Sequence, residues 1–359
     1  MNENQMSAAV GEPEGLRLRA VMFDLDGTLL HMDTEWFVRR YVTCLIDFAA
    51  RAGCDAQALR RGFMAGVDAM GRHDAELSNE EAFWRGFAAS QAEGGQALDA
   101  ARFAGPAGSK GAMGSGDVAG SGAVASAAHV GMTPAEAACV DADAAAAARE
   151  EWEGLFADYF RQEFDHVGHG VRPSADAQRA VGALRQKGYP LVLATMPFFP
   201  REAVVRRLAW AGIDADAFVR ITSYENSRAV KPHARYYAES LAAVGARGAE
   251  TLMVGNNTID DLGACQLGCQ AFLVTDYLLN PQGRDIRTVR HGSMAEFASW
   301  AERLPACAHP ATGADGGLVA QTRVEAALRD AGVAEGPAAR ASVPASTPAD
   351  PSPTERSRA

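Results

Sequence analysis

The 359-residue chain has no run of apolar residues able to span a bilayer: its longest apolar stretch, around residues 189–200, is short and broken by prolines. Positive charge is also scarce. At a formal net charge of −11, the chain lacks the concentrated basic face that a nucleic-acid partner requires. Arginine runs such as Arg206-Arg207 fall inside amphipathic helical patterns and are expected on a solvated face. The first residues carry Glu3, Glu12 and Glu14 and no apolar core, so residues 1–16 are expected to form a flexible leader and no signal peptide. No Cys-x-x-Cys is present. Cys44, Cys54, Cys139, Cys265, Cys269 and Cys307 are scattered, without histidines at zinc-ligand spacing, and are expected as plain buried thiols. These absences point to a soluble cytoplasmic protein without membrane or nucleic-acid partners, and they specify no protein partner.

What the chain does contain is Phe23-Asp24-Leu25-Asp26-Gly27-Thr28-Leu29-Leu30. Val21, Met22 and Phe23 read as a buried strand, and Gly27-Thr28 as the turn that ends it. Side chains alternate along a strand, so Asp24 and Asp26 should share a side until the backbone bends. Two buried carboxylates without partners are costly, which points to a metal or phosphate site at the strand's C-terminal edge.

After this string the pattern is helical. Asp33 can N-cap a helix carrying Phe37, Tyr41, Leu45 and Phe48, and a second helix carries Leu59, Phe63, Val67 and Met70. Ser78-Asn79-Glu80-Glu81 and Thr133-Pro134-Ala135-Glu136 read as capping boxes, the latter opening a helix toward Trp152 and Phe160. Between them, residues 104–132 are rich in Gly, Ala and Ser and are expected to be disordered. From Ser174 onward, helices over 175–187, 201–211, 233–244 and 259–268 alternate with apolar strands near 190–195, 217–222, 251–255 and 271–275. That alternation predicts an α/β fold with a doubly wound, Rossmann-like parallel sheet. Residues 17–31 and 171–304 are assigned to this core and 32–170 to the helical insertion after the first strand. Residues 305–359 are expected as a low-complexity tail, interrupted by one short helix around Val319–Asp330.

The first string resembles motif one of the haloacid dehalogenase superfamily, in its Asp-x-Asp-x-Thr phosphatase form. Motif two would be Pro190-Leu191-Val192-Leu193-Ala194-Thr195, motif three Val230-Lys231-Pro232, and motif four Thr251-Leu252-Met253-Val254-Gly255-Asn256-Asn257-Thr258-Ile259-Asp260-Asp261. The resemblance implies a magnesium-dependent phosphatase acting on a small phosphorylated metabolite, with an all-helical C1 cap that selects the substrate. Asp24 would be the nucleophile that forms an aspartyl phosphate, and Asp26 the general acid and base. Thr195 and Lys231 would bind the phosphoryl group. Asp24, the backbone carbonyl of Asp26, Asn256 and Asp261 would hold the magnesium ion. Dehalogenases of the superfamily lack the second Asp, so Asp26 favours phosphate esters.

The chain departs from the family pattern at two places. Asn256 and Asn257 stand where the fourth motif usually carries an acid, directly after Gly or one residue later; both registers converge on Asp261. Met196 stands where similar bacterial sequences read Thr-Asn-Pro-x-Phe-Pro. The alternatives are a phosphotransferase or mutase, and a degenerate phosphate-binding protein without turnover.

Overall fold

The computed structural model describes residues 17–73, 75–92, 142–314 and 316–333. The leader at 1–16, the segment 104–132, the capping box at Thr133–Glu136, Cys139 and the tail beyond 333 lie outside the described residues.

Among the described residues, six short strands form one sheet in the order β3-β2-β1-β4-β5-β6. They are β1 (Ala20–Phe23), β2 (Leu191–Leu193), β3 (Arg220–Ile221), β4 (Thr251–Gly255), β5 (Gln270–Val274) and β6 (Arg290–Gly292). Every pairing is parallel; Val21 sits between Leu191 and Leu252, and Phe23 between Leu193 and Val254. Strands β1, β2 and β4 are buried along their whole length, so continuous apolar runs, not alternating ones, encode them. The chain first builds outward from β1 through β2 to β3, then restarts on the other side at β4. The crevice between β1 and β4 is therefore the topological switch point, where such sheets place their ligands.

Helices follow β1 before β2 begins: α1 (Thr34–Arg51), α2 (Ala56–Met70), α3 (Asn79–Ala92), α4 (Ala142–Gln162) and the short α5 (Phe164–Val167). Asp33 accepts from the Trp36 N–H to start α1, and Asp55 caps α2 in the same way. Before α3, Ser78 and Glu81 bond each other's backbone N–H groups reciprocally. Aromatic side chains fill the space between these helices. Tyr41 alone lies 5.1 Å from Phe199, 5.7 Å from Phe63 and 5.9 Å from Phe164, ring centre to ring centre. This cluster is continuous with one face of the sheet, reaching Val21, Phe23 and Val254. On the same face pack α6 (Ala175–Gln186), α7 (Arg201–Trp210) and α9 (Met294–Arg303).

The opposite face, Ala20, Met22, Val192, Ala194 and Met253, packs on α8 (Ala234–Val244) and α10 (Gln321–Asp330). The short helix expected around Val319–Asp330 within the 305–359 tail is α10, and it packs on the core. Val319, Val324 and Leu328 are buried against α8, and the Gly313 N–H donates to the Val244 carbonyl at 2.9 Å. Val324 and Leu328, one turn apart on α10, together with Val319 just before it, hold a segment of otherwise low-complexity composition. The helix expected over 259–268 is a 3-10 turn confined to Leu262–Leu267. Strand β6 and helix α9 were not anticipated. Among the described cysteines all are free thiols, but only Cys269 is buried and Cys265 is exposed.

Candidate active site

Asp24 directly follows β1, and its backbone still belongs to the sheet: its N–H donates to the Val254 carbonyl at 2.9 Å. Strand alternation through Ala20 and Met22 turns its side chain toward the α8 face. Lys231, on the loop before α8, meets it there. The Lys231 Nζ donates to Asp24 Oδ1 at 2.7 Å and to Asp261 Oδ1 at 2.7 Å. Lys231 is almost wholly buried, with 1% of its side chain exposed. Burial alone would lower its pKa, but Asp24 and Asp261 outweigh that and hold the ammonium well above the ordinary lysine value. Lys231 is thus a fixed positive charge between two carboxylates.

Asp26 lies beyond the bend and does not join that cluster. Gly27, at φ +83°, makes the turn, and a Cβ there would collide with the Asn256 amide. The Asp26 Oδ2 instead accepts from the Arg207 Nη1 on α7. Arg207 is fully buried, which corrects the solvated face expected for Arg206-Arg207; only Arg206 is partly exposed, paired with Asp165 and Glu202. The Arg207 guanidinium stacks 4.4 Å over the Phe199 ring and 5.3 Å from that of Phe37. Burial raises the Asp26 carboxyl above its ordinary value, against the opposing pull of Arg207. Sequence spacing could not reveal Arg207, because its partner is 181 residues away.

Thr195 follows β2 and is buried; its carbonyl accepts from the Tyr236 hydroxyl at 2.7 Å and the Thr222 hydroxyl at 2.9 Å. Those bonds fix the backbone that presents its side chain. Met196, the next residue, is half-buried, and its carbonyl accepts from the Phe198 N–H at 2.9 Å.

The fourth motif follows β4. Asp261 folds back over Gly255, where a Cβ would clash with its carboxylate, and its Oδ2 accepts from the Asn257 N–H at 2.8 Å. Burial raises the Asp261 carboxyl while Lys231 opposes the rise. Asp260 points elsewhere: its Oδ2 accepts from the Asn257 Nδ2, and burial, reinforced by Asp261, pushes its carboxyl up to about 7. Asn256 has both amide atoms engaged. Its Oδ1 accepts from the Thr28 hydroxyl at 3.2 Å, and its Nδ2 donates to the Tyr277 carbonyl at 2.6 Å. An aspartate could not make the second bond. Asn256 therefore ties the motif-one turn to the loop after β5. A cavity of about 320 Å³ opens beside it, between Asp33–Thr34 and Thr275–Leu279.

The Asp24 and Asp261 carboxylates, joined by Lys231, are hard oxygen donors. Among the described residues, no three His, Cys, Asp or Glu side chains form a metal cluster. Two carboxylates sharing one ammonium leave a net negative charge, and that set fits magnesium, which accepts one or two carboxylates and keeps its waters.

A family model described as "Hydrolase: haloacid dehalogenase-like hydrolase" matches residues 18–268. The chain belongs to the haloacid dehalogenase-like hydrolases. Its similarity to the pyrophosphatase PpaX of Halalkalibacterium halodurans is 30% identity over 127 residues, 35% of this chain and 57% of that protein. The match thus spans little more than half the length of that relative. Solved structures similar in fold include a predicted phosphoglycolate phosphatase from Haemophilus somnus 129pt, at TM-score 0.41 and 15% identity. That likeness covers 79% of this chain and 98% of the other. Another is a 2-haloacid dehalogenase from Pseudomonas syringae pv. Tomato DC3000, at TM-score 0.42 and 19% identity, covering 80% and 99%. Neither likeness separates phosphate from halide chemistry. No described helix is long and apolar enough to cross a membrane.

Proposed function

We propose that this hydrolase is a magnesium-dependent phosphatase that cleaves a small phosphorylated metabolite through an aspartyl phosphate on Asp24. The observation that carries this reading is the pair of separately held carboxylates at the switch point, Asp24 on Lys231 and Asp26 on Arg207. A departing alkoxide needs a proton and a halide does not, so a second, raised carboxyl beside the nucleophile suits phosphate esters. The Asp24 carboxylate attacks phosphorus as the ester oxygen takes the proton of Asp26; Asp26 then removes a proton from the water that releases phosphate. Lys231, with Thr195, stabilises the charge on the transferring group. Asp24, the Asp26 carbonyl, Asp261 and an asparagine oxygen from Asn256 or Asn257 would hold magnesium. When bound, magnesium supplies Lewis-acid stabilisation of phosphoryl oxygens.

The free thiols among the described residues suit a reducing, cytoplasmic setting. The degenerate binding protein remains the second reading, favoured by the missing acid at 256 and 257. A screen of purified protein against a panel of phosphometabolites, with and without magnesium, tests both. Magnesium-dependent release of phosphate is the expected result; silence across the panel at saturating magnesium favours the binding protein.

A further inference from the structure

Arg207 is the feature of the site that the mechanism above leaves unexplained. It is wholly buried on α7, among Ala203, Val204 and Leu208, where an aliphatic side chain would pack without penalty. Its Nη1 is bonded to Asp26, but Nε and Nη2 are buried without partners among the described residues, as is the Asp26 Oδ1. A buried ion pair with orphaned donors is no efficient source of stability, since desolvation can exceed the attraction. Its geometry, in contrast, is specific. The planar guanidinium rests on Phe199 from the core and Phe37 from α1, and only one of its nitrogens reaches only one oxygen of Asp26.

We infer that Arg207 is the positioning residue for the acid–base step: it pins the Asp26 Oδ2 and leaves Oδ1 as the oxygen that exchanges the proton. The inference rests on the phosphatase reading. In the first half-reaction the bond from Asp24 to phosphorus forms and the bond to the ester oxygen breaks, with the proton passing from Asp26 Oδ1 to that oxygen. In the second, the water–phosphorus bond forms, the Asp24–phosphorus bond breaks, and the water proton passes to Oδ1. Phe37 contributes one wall of the arginine's seat, so the helical insertion takes part in aiming the acid.

The test compares two substrates at saturating magnesium. A nitrophenyl phosphate has a leaving group that departs without a proton; a simple alkyl phosphate does not. Arg207→Met should slow kcat for the alkyl phosphate by about 10²-fold and for the aryl phosphate by less than about tenfold. Arg207→Lys, which restores a point charge without the fork, should recover part of the alkyl rate. Thermal melting is followed alongside. Should Arg207→Met fail to fold, Arg207→Lys and Phe199→Leu, which keep the charge, should still lower the alkyl-to-aryl rate ratio. Equal losses on both substrates, or an unchanged ratio in every folded variant, would overturn the positioning role while leaving the phosphatase intact. A wild-type protein inactive on both substrates would overturn the phosphatase reading and this inference with it.

Discussion

The two carboxylates of the first motif are two residues apart in sequence and are held from opposite faces of the sheet. Asp24 points to the α8 face, where a lysine is shared equally with Asp261 at 2.7 Å each. Asp26 points to the face of α7 and the helical insertion, where an unshared arginine sits on two aromatic rings. A lysine is a compact point charge and can be divided between two acids; an arginine is a plane that fixes direction. The difference matches the work proposed for each acid. A nucleophile can share a fixed positive charge with a neighbouring acid, whereas an acid–base group must be aimed. Strand alternation followed by a glycine turn sends the two acids into these two environments.

The largest expected effect is on the nucleophile. Asp24→Asn should lower turnover by at least about 10⁴-fold with the fold intact, as measured by kinetics and circular dichroism, because an amide of the same shape cannot attack phosphorus. Lys231→Met should abolish activity as well and also destabilise the protein by about 3–5 kcal/mol, read by denaturant unfolding, since it strands two buried carboxylates together. Near-normal stability in that variant would break the contrast between shared lysine and unshared arginine. Asp26→Asn should cost about 10²–10⁴-fold on alkyl phosphates and far less on nitrophenyl phosphate. The asparagine position should give a mixed and smaller result. Asn256→Asp loses the bond to the Tyr277 carbonyl, about 1 kcal/mol of stability, while the magnesium concentration for half-maximal activity falls. An unchanged magnesium requirement would shift the ligand assignment to Asn257.

The smallest effect lies at the other end of the sheet. Arg247, and after it Arg19, hold the Glu250 carboxyl down to about 2, ahead of β4. A depressed carboxyl contributes stability above its unfolded pKa of about 4.3 and loses it as pH falls through the folded value. Glu250→Gln should therefore melt lower at pH 7, with the deficit disappearing between about pH 4.5 and 2 and activity unchanged.

Much of this arrangement is legible in the sequence where the chain is locally explicit. Unbroken apolar runs mark β1, β2, β4 and β5 because parallel strands are buried on both faces, and Asp33 and Ser78 announce α1 and α3 by their capping chemistry. Where signals are short, they fail. Strand β6 is three residues with little apolar character, although the Ser293–Glu296 capping box before α9 was there to be read. Long-range pairings are invisible to spacing. Arg207 reads as one face of an amphipathic helix until Asp26 arrives beside it, and Asn256 reads as a weakened acid until the Tyr277 carbonyl supplies a reason for an amide.

In the proposed reaction Asp24 becomes transiently phosphorylated. Rapid mixing of the protein with magnesium and a turned-over phosphate ester, acid quenching within the first turnover and peptide mass spectrometry tests it directly. A phosphoryl group is expected on the peptide spanning Asp24, absent from Asp24→Asn and accumulating further in Asp26→Asn with nitrophenyl phosphate, because water activation is then slow. Phosphate release at the wild-type rate with no adduct on that peptide at any quench time would contradict it.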